Sequence, residues 1–460
     1  MKTKNIVLLL LLLSSNLYLY SQTPKKWSLE ECIQYAIAHN IDVKRITLQK
    51  ESAAVELNTA KMSRLPDLYA GATQRRNFGR SNNTPTGMYE NQTISNSNIY
   101  AASSTPLFNG FKTTNQVAYN KLQLEAVAHS LEKAKEDLSL NVTGYYLQVL
   151  LNKEILKIKE EELALSQSQL KKTEVLVEVG KVPMSQLFDI KAQIAKDEAT
   201  VTEKNNKLQL SLLDLMQILE LENASSFDIA DPETGSAIEI SMTGILSPET
   251  IYNNAVTFKP QIKEQELLVK GAKKWLRVTQ ADHYPSLSLE LGYNNSYFYN
   301  YTLEGRSMIN TTTSAPYIWR NTSFTEQLKN NGGEYIGLNL GIPVFNRFAT
   351  KNKVKSARLG IQNQQLILEE SKKKLYKEIQ IAHSNAIAAQ TQYSASVKAV
   401  DASRESFKYA EERYEIGKST VFEFNDAKTR LIQSLSEQIQ AKYDYIFRTK
   451  ILDFYNGMGL

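Results

Sequence analysis

The segment "GKST" at residues 417–420 has the residue types that end a phosphate-binding loop. In such a loop backbone N–H groups surround the phosphate, and the full motif also requires a glycine five residues before Gly417 and a strand that leads into it. Glu412 occupies that position, and the residues before it have the pattern of a helix. The sequence therefore argues against a phosphate site here.

Residues that bind metals or act as nucleophiles are sparse. The only cysteine is Cys32, and no two of the four histidines have the spacing of metal ligands: His39, His129, His283 and His383. A metal site needs several ligands, and a reactive thiol needs a neighbouring base. We therefore expect no catalytic site, no metal and no cofactor, in a protein that is not an enzyme.

Two segments share a pattern that does suggest a common role. "VEVGKVPMSQLFD" (177–189) and "YEIGKSTVFEFND" (414–426) each contain Gly-Lys, with an acid nine residues after the glycine. Both lie between long stretches with helical periodicity. Because glycine adopts a positive φ at little cost, Gly180 and Gly417 are expected to end one helix and let the chain reverse.

The rest of the chain repeats in the same way. "PLFNGFKTTNQV" (106–117) and "PVFNRFATKNKV" (343–354) are identical at seven of twelve positions, 237 residues apart. At an offset of 219, "SLEECIQYA" (28–36) aligns with "SPETIYNNA" (247–255). Such matches predict a tandem duplication.

The two repeats are predicted to cover residues 22–245 and 246–460, with tips at Gly180 and Gly417. Each is expected to contain a short helix, a second helix, two strands near 66–107 or 285–345, a very long helix, a glycine break and another long helix. The change of offset places an 18-residue insertion between Pro285 and Pro343, which we expect to form an exposed loop.

Apolar residues recur every seven positions along the two very long helices, which is typical of coiled coils. From 115 to 179 the first helix would extend roughly 100 Å at 1.5 Å per residue. A helix of that length forms a stalk or the wall of a tube. The seam residues are Val142, Val149, Leu156, Leu163, Leu170 and Val177 in the first repeat, and Ile379, Ala386, Tyr393, Val400, Phe407 and Tyr414 in the second.

The predicted strands of the second repeat alternate between apolar and polar residues. "PSLSLELGY" (285–293) and "EYIGLNLGIPV" (334–344) each place their large apolar residues on one face. This pattern fits a membrane barrel with a wet lumen, although a half-buried strand of a soluble sandwich has it too. The strands of the first repeat, near 67–78 and 93–107, alternate only weakly.

The strand count limits how such a barrel could form. A membrane barrel must close and needs at least about eight strands, whereas one chain supplies four. A dimer would give eight strands with a lumen filled by side chains, and a trimer would give twelve with room for water.

The N-terminal residues predict export. Lys2 and Lys4 precede the apolar run "IVLLLLLL" (6–13) and a zone of small polar residues that ends near Ser21, which is typical of a signal peptide over residues 1–21. The formal charge of +5 is small and dispersed, so we expect no nucleic-acid partner.

Taken with the duplication and "PLFNGF" and "PVFNRF" before the long helices, these features resemble the TolC family of bacterial outer-membrane efflux channels along nearly the whole mature chain. The resemblance implies a mainly α fold with transmembrane β structure. Duplicated helical hairpins would form a trimeric coiled-coil tunnel across the periplasm, above which four strands per chain would contribute to a twelve-stranded barrel in outer-membrane lipid. It also implies a periplasmic adaptor (membrane fusion protein) and an inner-membrane transporter as partners in efflux or secretion.

The resemblance also implies roles for individual residues. Acids at the positions of Glu423 and Asp426 ring the channel constriction in the family, and three copies of each would attract cations. The hairpin tips would bind the adaptor through Gly180, Lys181, Val182, Gly417, Lys418 and Ser419.

The tip departs from the family at two of three gating positions. Tyr414 matches the family's tyrosine, but Ser419 and Gln186 replace the arginine and the acid that help to hold the closed tip in the best-known member. Phe422 and Phe424 could instead supply, with Val421, a hydrophobic constriction that excludes water.

Two other functions remain open on the sequence. A structural or adhesive coiled-coil stalk of the envelope would contain the same long helices, but it has no use for strands with one polar face. A periplasmic adaptor would have a single hairpin flanked by small β domains, whereas this chain has two hairpins.

Overall fold

The computed structural model of the protein describes residues 26–83, 87–222, 227–230, 245–301, 306–309, 318–416 and 418–458. The predicted signal segment 1–21 and Gly417 lie outside these ranges. Within them the protein is mainly helical with a smaller number of strands, which confirms the predicted fold class. No helix in the described ranges has a stretch long and apolar enough to cross a membrane.

The helices are α1 (Leu29–His39), α2 (Ile41–Met62), α3 (Lys112–Glu178), α4 (Met184–Ile218), α5 (Pro248–Phe258), α6 (Pro260–Gln280), α7 (Phe324–Asn330), α8 (Ala349–Glu415) and α9 (Val421–Asn456). The strands are β1 (Lys26–Trp27), β2 (Tyr69–Asn83), β3 (Met88–Phe108), β4 (Asp228–Ile229), β5 (Ser286–Asn300), β6 (Arg306–Ile309), β7 (Ile318–Asn321) and β8 (Gly333–Gly341).

The same succession of elements occurs twice, as α1-α2-β2-β3-α3-α4 and as α5-α6-β5-β8-α8-α9, and α3 and α8 each have 67 residues. Equivalent residues begin the first helix of each series. The Ser28 hydroxyl accepts a hydrogen bond from the Glu31 N–H, and the Ser247 hydroxyl accepts one from the Thr250 N–H. Each serine thus satisfies a backbone donor that the first turn of a helix leaves free.

The chain forms two compact units. One comprises Met1–Lys50, Val127–Glu264 and Glu369–Leu460, and the other comprises Glu51–Ala126 and Gln265–Leu368. We call them the helical unit and the strand unit. The core of the helical unit is apolar side chains of α1, α3, α4 and α9, among which Val142, Val149 and Leu215 are fully buried. Burial of such side chains is the main favourable contribution to folding.

The predicted seam is buried or half-buried along both very long helices, but its character changes along α3. Up to Ile158 the most deeply buried positions of α3 are mostly apolar. Beyond that residue four polar side chains at helical spacing become the most buried ones: Glu162, Ser166, Gln169 and Thr173. The part of the α3 interior nearest the Gly180 turn is therefore polar, which the seven-residue pattern did not predict.

The strand unit contains a four-stranded antiparallel sheet in the order β2-β3-β5-β8. Leu289 pairs with Leu338 and Leu291 with Ile336, so the leucines of β5 and the apolar residues of β8 share one face, as the alternation predicts. On the other face Tyr335 lies opposite Gly292, where a Cβ atom would come within 2.5 Å of the tyrosine ring. Glycine at position 292 thus leaves room for the Tyr335 ring, which a larger residue would displace.

In the region of the insertion, where the sequence predicts an exposed loop, the described residues 306–309 and 318–330 include regular elements. These residues form β6, β7 and α7, and α7 lies beside β5 in the region that β8 does not reach. The Gln327 side chain accepts a hydrogen bond from the Phe298 N–H at 3.0 Å and donates one to the Phe298 carbonyl at 2.9 Å. Helix α7 therefore satisfies backbone groups at an edge that would otherwise be unpaired.

The two strand-to-helix junctions have the same geometry. The Asn109 side chain donates a hydrogen bond to the Thr113 hydroxyl, and Asn346 donates one to Thr350 in the second repeat. The two residues that follow the asparagine have φ values of 65° and 63° in the first junction and 55° and 59° in the second. Three of these four residues are not glycine, and a positive φ is unfavourable for residues with a Cβ atom, so the backbone is strained in both junctions.

Candidate functional site

The first hairpin turn reverses the chain between α3 and α4 through Gly180, which has φ of 73°. The Gly180 N–H donates to the Val177 carbonyl and the Lys181 N–H donates to the Leu176 carbonyl, both at 2.9 Å. This pair of hydrogen bonds is the Schellman motif that ends a helix at a left-handed residue. Lys181 is exposed and Val182 is half-buried, so the turn presents a basic side chain to solvent.

The second turn connects α8 to α9. The Lys418 N–H donates to the Arg413 carbonyl at 2.8 Å. This bond spans five residues, like the bond from Lys181 to Leu176 in the first turn. Thr420 then begins α9 by accepting a hydrogen bond from the Glu423 N–H at 3.2 Å. A helix precedes "GKST" in this structure, so the strand that a phosphate-binding loop needs is replaced by α8.

Glu423 lies in the first turn of α9, and its carboxylate is exposed. The Ser419 hydroxyl donates to it at 2.6 Å, and the Arg413 guanidinium lies 3.9 Å away. Hydrogen bonds from the Ser419 hydroxyl and the Thr420 backbone, together with the Arg413 charge, hold the pKa of Glu423 below its ordinary value. Glu423 therefore keeps its negative charge to a lower pH than an ordinary glutamate.

Asp426 lies one turn further along α9 and is exposed as well. Its carboxylate is 2.6 Å from the Arg430 guanidinium, at the i, i+4 spacing that brings side chains together on a helix. Each of the two acids thus has an arginine close to it. The surface around them carries both signs of charge, which the spacing of the acids alone did not predict.

The two phenylalanines of this segment have opposite environments. Phe422 is 80% exposed, whereas Phe424 is 2% exposed. The Phe424 ring lies 5.1 Å from the Tyr414 ring and 5.5 Å from the Phe407 ring. Phe424 thus packs against α8 inside its own hairpin, and only Phe422 has the exposure that a side chain lining a channel needs.

The three gating positions do not contact one another through hydrogen bonds. The Tyr414 hydroxyl and the Gln186 Oε1 atom are both buried and have no hydrogen-bond partner, and Ser419 donates to Glu423. Near the turns the first and second hairpins are instead joined by an exposed ion pair, Lys172 to Glu415 at 3.0 Å. Exposed pairs of this kind contribute about 0–1 kcal/mol.

A buried charged pair between α4 and α9 was not predicted from the sequence. Lys428 of α9 and Asp197 of α4 are 1% and 5% exposed, and their charged atoms lie 3.7 Å apart. A signal was present, because Lys428 follows Val421 and Phe424 at the spacing of the buried face of α9. Charged residues at apolar positions of a helix are rare unless they are paired.

The residues considered for catalysis have ordinary structural environments. Cys32 is fully buried in the helical unit, and burial raises the pKa of its thiol to about 12, helped by the nearby Glu31 charge. The His39 ring stacks on Tyr35 with centroids 3.9 Å apart. Within the described ranges there is no group of three or more His, Cys, Asp or Glu side chains that could hold a metal ion.

Residues 32–220 and 251–448 match the sequence profile of the outer membrane efflux protein family. The chain belongs to that family. This confirms the resemblance and the outer-membrane location, and since members of the family are channels, it also confirms that the protein is not an enzyme. The two matched ranges correspond to the two successions of elements described above.

Individual relatives agree with this assignment. The outer membrane protein TolC of Escherichia coli is 22% identical over 452 residues, covering 95% of this chain and 84% of that protein. TolC of Vibrio cholerae is 24% identical over 321 residues, covering 68% of this chain and 66% of that protein.

Solved structures share the fold at lower identity. A crystal structure of CusC, described as forming a transmembrane channel, superposes with a TM-score of 0.75 at 17% identity and covers 96% of both chains. The open state of the Neisseria gonorrhoeae MtrE outer membrane channel has a TM-score of 0.72 at 16% identity, covering 94% of this chain and 89% of that one.

Proposed function

We propose that the protein is a trimeric outer-membrane channel and periplasmic exit duct for efflux or secretion. The observation that carries the proposal is the sheet of the strand unit. Its β5–β8 part exposes a row of large apolar side chains, with Ile336 75%, Leu338 67% and Leu340 60% exposed, while the opposite face carries Asn339 and Glu290. A sheet with one apolar and one polar face fits a wall between lipid and water.

The edges of this sheet support the trimer. Within the described residues β2 and β8 each pair with one strand only, so each leaves a row of backbone groups without partners. Lipid cannot satisfy such groups, and a membrane sheet therefore closes into a barrel. Three chains would supply twelve strands and an open lumen, whereas two would supply eight strands with a lumen that side chains fill.

The hairpin turns are the proposed sites of gating and of partner binding. Glu423, Asp426 and the exposed Phe422 would line the constriction. The turn residues Gly180, Lys181 and Val182, with Gly417, Lys418 and Ser419, would bind a periplasmic adaptor that connects the channel to an inner-membrane transporter. Family membership supports both roles, together with the exposure of Lys181 and Lys418.

Native mass spectrometry of the detergent-extracted protein and single-channel recording in a planar bilayer test this function together. We expect three times the monomer mass and stepwise ion conductance. A monomeric mass with helix and strand content intact would contradict the architecture. A trimer that never conducts would instead favour the structural or adhesive stalk.

A further inference from the structure

A buried polar cluster joins the two hairpins of the helical unit. The Lys428 Nζ atom on α9 donates a hydrogen bond to the Ser166 hydroxyl on α3 at 2.7 Å, and the Ser166 hydroxyl donates one to Asp197 Oδ2 on α4 at 2.5 Å. Gln193 donates to the other oxygen of Asp197 at 2.7 Å. Both carboxylate oxygens of Asp197 are therefore bonded, and α9 is connected to both helices of the first hairpin.

The cluster is closed to solvent. Lys428, Asp197 and Ser166 are 1%, 5% and 3% exposed. A buried ion pair of this kind contributes little net stability compared with apolar side chains of the same size, but removal of one partner leaves a buried charge without compensation and is strongly destabilising. Such a pair therefore resists separation of the elements that carry it.

Between this cluster and the turns, two buried polar side chains of α3 have polar atoms without hydrogen-bond partners. Gln169 and Thr173 follow Ser166 on the buried face of α3, yet Gln169 Nε2 and Thr173 Oγ1 have no hydrogen-bond partner. Buried polar atoms without partners favour states that admit water. The hairpin interface is thus less firmly held towards the turns than at Lys428.

We propose that Lys428, Ser166 and Asp197 form a clasp that holds α9 against the first hairpin and so positions the start of α9. Glu423 and Asp426 lie less than two helical turns before Lys428, so the position of α9 at Lys428 also sets theirs. That these acids line a channel constriction rests on the proposed function. Release of the clasp lets the start of α9 move relative to α3 and α4, which displaces Glu423 and Asp426 and so changes the width of the constriction. In this chain the clasp supplies a connection between hairpins that Tyr414, Gln186 and Ser419 do not.

The clasp is tested by two measurements on the detergent-extracted assembly: amide hydrogen exchange over residues 421–432 and single-channel conductance. In Lys428→Met we expect exchange in that range to rise by about tenfold or more, since Asp197 loses its buried counter-charge. We expect conductance to change by about twofold or more as the acids at the start of α9 are displaced. The double variant Lys428→Met/Asp197→Leu leaves no charge unpaired but still lacks the clasp, so both values should stay different from those of the native protein.

Lys442→Met is the matched control. Lys442 also lies on α9 and pairs with Glu154 of α3 at 3.8 Å, but its side chain is 39% exposed. It should change neither measurement. Equal effects of Lys428→Met and Lys442→Met, unchanged exchange in Lys428→Met, or a double variant with the values of the native protein would each overturn the clasp.

Ser166→Ala keeps the proposal testable if Lys428→Met does not assemble. It removes the bridging hydroxyl and leaves the two charges in place, so exchange over residues 421–432 should rise by a smaller factor, and no rise would overturn the clasp. If exchange changes as expected while even the native protein never conducts, the clasp stands and the proposed channel function fails.

Discussion

Leu338 and Asn339 are neighbours on β8 whose side chains lie on opposite faces of the sheet, and the same substitution at each should have very different effects. Leu338 pairs with Leu289 on the apolar face. Asn339 pairs with Ser288 on the polar face and donates a hydrogen bond to Glu290 at 3.1 Å. If the apolar face contacts lipid, Leu338→Arg puts a charge into the membrane, whereas Asn339→Arg puts one into the lumen near an acid.

The expected difference can be estimated from the position of the residue. Leu338 belongs to the row of exposed apolar residues on β8, and an arginine on the lipid face destabilises a barrel by up to about 2–4 kcal/mol, the value at the centre of the bilayer. A trimer contains three copies, so the total is up to roughly 6–12 kcal/mol if the copies act independently. Each 1.4 kcal/mol is a factor of about ten in an equilibrium constant, so Leu338→Arg should abolish most of the assembled barrel.

The assay is the fraction of the chain that is recovered from the outer membrane as a trimer resistant to detergent before heating. We expect Asn339→Arg to retain most of that fraction and Leu338→Arg to lose most of it. If both variants are recovered equally well, or both are lost to the same extent, the apolar face of β5 and β8 does not contact lipid.

Two further predictions concern the hairpin turns. Glu423→Gln/Asp426→Asn should shift the reversal potential in a salt gradient towards anion preference, because Arg413 and Arg430 lose their acidic partners. Since the pKa of Glu423 is lowered, the native cation preference should persist below the ordinary titration range of glutamate and disappear as the pH falls further, and Ser419→Ala should make the preference disappear at a higher pH. Gly180→Val should destabilise the first turn by about 1–2 kcal/mol, because a φ of 73° disfavours residues with a Cβ atom. A photo-crosslinker at position 181 should then capture less of a periplasmic adaptor while the trimer yield stays unchanged, and equal capture would argue against adaptor binding at this turn.

Much of the fold could be predicted because its signals are local. The order of helices and strands in the two repeats follows from hydrophobic periodicity, which depends on neighbouring residues. The positive φ of Gly180 follows from the lack of a Cβ atom, and the apolar face of β5 and β8 follows from a period of two. Each of these features is determined within one element or one turn, so the amino-acid sequence alone was sufficient.

The arrangement around the second turn depended on contacts between distant parts of the chain. Phe422 and Phe424 have the same residue type two positions apart, yet one is exposed and the other packs against α8. Lys428 and Asp197 are 231 residues apart, and their pairing depends on how α9 meets the first hairpin. Tertiary packing decides such cases, because the free energy of a buried charge or ring depends on the groups that surround it in space.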